Sequence, residues 1–136
     1  MKNLEAIINK ISYEVAQVID ENDINKMLGV LSNDGVYALW VFSEARLKAK
    51  NKAKDKEKWQ EFWDEVFEEL EKLEGLENLK SLKNSNKNVR ELYEKFFQKL
   101  SEDLDKLLFF KDVLEKVLIY ARYHAKAKDK TKNGGE

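Results

Sequence analysis

Along most of this chain, apolar residues recur three and four positions apart, the period of an amphipathic helix. Leu4, Ile7, Ile8, Ile11, Val15, Val18 and Ile19 draw one such stripe and predict a first helix over residues 3–20. A short polar break follows, and Asp23 suits the N-cap of a brief second helix that carries Ile24, Met27, Leu28 and Leu31 on one side. Ser32-Asn33-Asp34-Gly35 then supplies turn chemistry. The residues after Asp34-Gly35 do not alternate, so this pair is read as a break between helices and not as a hairpin turn.

The third helix begins near Val36. Its apolar opening, Val36-Tyr37-Ala38-Leu39-Trp40-Val41-Phe42, passes into a ladder of Arg46, Lys48, Lys50, Lys52, Lys54, Lys56 and Lys58. On a helix, residues two apart lie about 200 degrees apart, so these cations would form two opposed stripes that cannot pack flat on a core. The ladder is therefore expected to be a solvated helical extension or a mobile loop. Order restarts at Asp55, and Trp59, Phe62, Trp63, Val66, Phe67, Leu70 and Leu73 predict a fourth helix ending at Gly75. Residues 76–88, rich in asparagine, read as an irregular connection. Val89, Leu92, Tyr93, Phe96, Phe97 and Leu100 make a fifth helix, with Ser101 as the expected cap of the next. The last stripe, from Leu104 through Ala121, carries a helix to about Lys128 and again runs into cations: Arg122, Lys126, Lys128, Lys130 and Lys132.

The expected architecture is all-α, a compact bundle of about five or six helices. Residues 1–130 form one domain, and residues 131–136 form a tail with no reason to be ordered on its own. At 136 residues the chain suits one ordinary core, and the absence of proline and cysteine leaves long helices uninterrupted and excludes disulfides and thiolate chemistry. No run approaches the roughly 20 apolar residues of a membrane span, and no signal peptide opens the chain, so a cytoplasmic protein is expected.

Charge changes the picture more than composition does. The sum is close to neutral, at −1, but the signs are segregated: the basic ladders are balanced by Glu61, Asp64, Glu65, Glu68, Glu69, Glu71 and Glu74 on the fourth helix, expected to be a solvated acidic face. A stand-alone enzyme is not expected. His124 is the only histidine and reads as a surface or rim residue, and neither a glycine-rich phosphate cradle nor a Glu-x-x-His pairing occurs. No cofactor or metal is implied. Trp40, Trp59 and Trp63 read as core residues before base-stacking platforms. The ladders fit a phosphate backbone, which needs cations and little else, and equally an acidic protein. The acidic face of one copy meeting a basic ladder of the next would give head-to-tail self-association.

The order of features adds a resemblance. The segment from Leu31 through Ala45, with the turn Asn33-Asp34-Gly35-Val36, is followed by a charged insert containing Trp59. The closing helix is Val117-Leu118-Ile119-Tyr120-Ala121-Arg122-Tyr123-His124-Ala125-Lys126. Together these resemble the small helical subunit of the type III-B CRISPR effector, the Cmr complex. Ala121 through Lys126 is also similar to the end of the small subunit of the type III-A (Csm) complex. The sequence departs from the first pattern where Asp34 separates Asn33 from Gly35, Tyr120 stands for a tryptophan and His124 for an aromatic. Either resemblance implies a non-catalytic antiviral-defence subunit that stacks along guide RNA and target RNA beside other effector subunits. The resemblance carries over Asn33 and Gly35 as the structural turn and Arg46, Lys48, Arg122 and Lys126 as groups on RNA phosphates, and the ladders add Lys50, Lys52 and Lys128 to the expected RNA-binding set.

Overall fold

The computed structural model describes residues 3–51, 55–70 and 88–134. Among them are six helices: α1 (Leu4–Val18), α2 (Glu21–Asp34), α3 (Val36–Arg46), α4 (Lys58–Leu70), α5 (Val89–Leu100) and α6 (Leu104–Gly134). The fold is an all-α bundle. The one extended element among the described residues is a ribbon of two-residue strands, β1 (Lys50–Asn51) and β2 (Lys56–Glu57).

Local chemistry explains where the helices start. Asn3 caps α1 by accepting from the Glu5 amide at 2.8 Å, and Asn88 caps α5 by accepting from Glu91 at 3.1 Å. Asp20, not Asp23, caps α2: its carboxylate accepts from the Asp23 amide at 2.8 Å, so the helix begins earlier and is longer than expected. Gly35 joins α2 to α3 with φ +95, a left-handed value that favours glycine. Asn33 lies inside α2, so Gly35 carries this turn by itself. Ser101 does not cap α6. Its hydroxyl donates back to the Phe97 carbonyl at 3.0 Å, closing α5, while Asp103 accepts from the Lys106 amide at 3.2 Å. Helix α6 continues past Lys128 to Gly134, through residues expected to lack order of their own. The predicted end of the fourth helix at Gly75 and the asparagine-rich connection lie almost wholly outside the described residues.

Helix α6 packs mainly on α1 and α2, α1 also meets α4, and α3 lies between α2 and the α4–α5 pair. The three tryptophans are core residues, with Trp40 and Trp63 fully buried and Trp59 nearly so. Trp40 stacks on Phe97 with ring centroids 5.2 Å apart and meets Trp59, Trp63 and Tyr93 edge-on. Further rings, Phe62, Phe67, Phe96 and Phe110, continue the cluster across α4, α5 and α6. Edge and offset contacts of this kind add to the stabilisation from burial itself. A buried donor–acceptor chain runs through the cluster: Trp63 Nε1 donates to Ser43 Oγ at 2.8 Å, and Ser43 Oγ donates to the Trp40 carbonyl at 2.8 Å. No described helix is long and apolar enough to cross a membrane.

Candidate nucleic-acid interface

Among the described residues, the first lysine ladder is not a helical extension. It turns back as a hairpin in which Lys50 faces Glu57 and Asn51 faces Lys56 across an antiparallel pair. The pairing continues inward, with the Lys58 amide on the Ala49 carbonyl and the Trp59 amide on the Leu47 carbonyl, both at 2.9 Å. The two-residue spacing that makes opposed stripes on a helix is the period of a strand, where alternate side chains share a face. Lys48 and Lys50 are exposed on the first limb. Lys56 on the second limb turns inward, its Nζ 2.9 Å from Asp64 Oδ2. The turn residue Asp55 has φ 52, a conformation an aspartate tolerates better than most residues. Trp59 fixes the base of the hairpin through burial and through Nε1, which donates to Glu57 at 3.0 Å.

Both ladders reach one end of the bundle. Arg46 at the end of α3 pairs with Asp23 in the first turn of α2 at 3.3 Å. A groove of about 220 Å³ at the same end is lined by the last residues of α1, by Asp20 and Glu21, by Lys58 at the start of α4 and by Lys128 near the end of α6. The fold thus gathers Arg46, Lys48, Lys50, Lys58 and Lys128 around the ends of α1, α3 and α6 and the starts of α2 and α4. Lys126 is exposed on the last turns of α6. Arg122 is half-buried, with its Cζ 5.7 Å from the Tyr123 ring centroid and its buried Nε without a hydrogen-bond partner among the described residues. Lys52 lies outside the described residues.

These cations are not equally available. Arg46 is tied to Asp23, and Lys50 lies 3.7 Å from Asp55, a pair so exposed that it holds little. Lys48, Lys58, Lys126 and Lys128 form no ion pair among the described residues.

The acidic helix departs most from expectation. Glu61, Asp64 and Glu69 are buried, Glu65 is half-buried, and Glu68 is exposed. Asp64 accepts from the Tyr93 hydroxyl as well as from Lys56, and Glu69 accepts from Lys10 Nζ at 2.9 Å. Carboxylates so paired hold α4 to α1, to α5 and to the hairpin, so in the described part of α4 the acids act mostly inside the fold. Burial, reinforced by Glu14, Glu69 and Glu68, raises the Glu65 carboxyl above its ordinary range. Glu94 is the opposite case. Hydrogen bonds from Tyr37 and from Trp40 Nε1, the latter 3.0 Å long, lower its pKa, and the bond that Tyr37 donates to Glu94 raises the pKa of Tyr37.

Sequence reasoning missed these internal partners because each joins residues distant along the chain. Two-residue alternation was a visible signal for the hairpin. No described grouping of histidine and carboxylates is arranged to hold a metal ion. Comparison with models of protein families, with curated proteins and with solved structures found no match to this chain.

Proposed function

We propose that this chain is a non-catalytic helical subunit that holds an RNA phosphate backbone at its basic end, as expected of the small subunit of a type III CRISPR effector. The observation that supports it most is the meeting of two separate lysine ladders at one end of the bundle, where Lys58 and Lys128 line the same groove. Phosphate contacts need cations and little else, and the helix ends and the paired ribbon hold these cations at one end of the bundle. The Gly35 turn and the closing helix carry the family resemblance. Guide RNA and target RNA, together with neighbouring effector subunits in the cytoplasm, are the partners this reading names.

The test is a salt titration of binding to an RNA probe. Replacing Lys48, Lys126 and Lys128 with alanine should weaken binding evenly across RNA sequences and flatten the salt slope by roughly 0.7 to 0.9 per lost contact. No retention of RNA at moderate salt would defeat the reading. A protein-only adaptor is the second reading, and the exposure of Leu104, Leu108 and Phe109 along α6 favours it. Capture of the tagged chain with and without RNase separates the two: the adaptor keeps its partner after RNase, and the RNA subunit loses its guide RNA.

A further inference from the structure

The end of α6 carries more than cations. Tyr120, Tyr123 and His124 stand three and four residues apart, the spacing of neighbours on one helix flank. Across from them on α1 stands Tyr13, whose ring meets His124 edge-on with centroids 5.7 Å apart and planes at 84°. These rings are not core residues: Tyr13 is 53% exposed, Tyr123 59% and Tyr120 36%. None of the three phenol oxygens makes a hydrogen bond among the described residues.

We propose that Tyr13, Tyr123 and His124 form a platform on which the bases of single-stranded RNA stack, beside the cations that hold its phosphates. The inference rests on the RNA-backbone reading and extends it from the backbone to the bases. Three features carry it. Aromatic faces accept any base without reading its edges. Arg122 lies against the Tyr123 ring, its Cζ 5.7 Å from the ring centroid, and sets a cation beside the platform. Lys128 follows His124 by about one turn, roughly 6 Å of helix rise, and lines the same groove as Lys58. The exposed aliphatic side chains of α6, Leu104 and Leu108, lie at its other end, so the flank near His124 presents rings and cations without the aliphatic centre of a protein interface. A duplex already stacks its own bases and has none to offer. The platform therefore favours single strands.

The experiment is fluorescence anisotropy with a labelled oligoadenylate of about 16 nucleotides and an RNA duplex of similar length, using the full chain. Tyr13→Ala combined with Tyr123→Ala should weaken oligoadenylate binding about tenfold or more, leave the salt slope unchanged and leave duplex binding unchanged. Tyr123→Phe, which keeps the ring, should bind like the parent chain and so separates stacking from any loss of folding. If the parent binds oligoadenylate with a steep salt slope and the double variant binds it equally well, the platform is wrong and the backbone reading stands. An equal loss on duplex and single strand would also overturn the platform. Should the parent bind neither probe, both proposals fall.

Discussion

The lysines of residues 46–58 and those of residues 122–132 follow similar apolar runs and share a two-residue spacing, yet one ladder folds back as a hairpin and the other continues a helix. What separates them lies at their edges. The first ladder is bracketed by Leu47 and Trp59, both buried, and burying both requires the chain to reverse between them. The second follows Val117, Ala121 and Ala125, whose burial keeps α6 in helical register, and residues 126–136 include no large apolar residue that would draw the chain back. A run of alternating lysines is therefore permissive, and the apolar residues that flank it decide its conformation.

Removing the bracket is the strongest way to break this contrast. Trp59→Ala should cost about 3–5 kcal/mol in urea unfolding, the range for truncating a buried aromatic, and should release the hairpin from the Leu47 carbonyl. Next comes the inward lysine. Asp64→Ala removes the carboxylate that accepts from Tyr93 and Lys56 and should cost about 1–3 kcal/mol, whereas Lys56→Ala should cost less because that side chain is 42% exposed.

Acid titration sharpens the distinction between charges used inside the fold and charges left outside it. The lowered Glu94 carboxyl contributes stability that is present above its unfolded value of 4.5 and is lost as pH falls through its lower folded value. Glu94→Gln should therefore be less stable than the parent at neutral pH, and the gap should close in acid. Glu65 has the opposite sign. Its raised pKa means that the folded state favours the proton, so Glu65→Gln should stabilise at neutral pH, with the gain fading as pH falls to 4.5 and below. Thermal unfolding across this range checks both.

The hairpin turn gives a smaller effect: Asp55→Gly should relieve the positive φ and gain about 0.5 kcal/mol. Smallest of all, Lys126→Ala and Lys128→Ala should change stability by no more than about 0.5 kcal/mol, because solvated cations at a helix end contribute little to folding. Their effect should be read in the salt dependence of RNA binding.

Much of the fold was legible in the chain. The six described helices follow the apolar stripes, and α5 occupies the range its own stripe marks, because burial of one face is a local demand written at helical spacing. The tryptophans were legible as core for the same reason. Caps were less so: Asp20 and Asp23 are both suitable, and Asp103 competes with Ser101, so the choice depends on which backbone amides the packed helix presents. The candidate site was legible as a set of cations but not as a place.

By itself, the sequence determined the class of fold, the apolar faces and the supply of charge, since periodicity and composition belong to neighbouring residues. Only the tertiary structure decided that alternating lysines become a hairpin, that Asp64 and Glu69 turn inward to Lys56 and Lys10, and that Tyr13 meets His124. The lysine alternation permits a hairpin without requiring one, and the side-chain pairings join separate elements with no periodic signal between them. Their apposition follows from packing the helices on one shared core, which no single segment can specify.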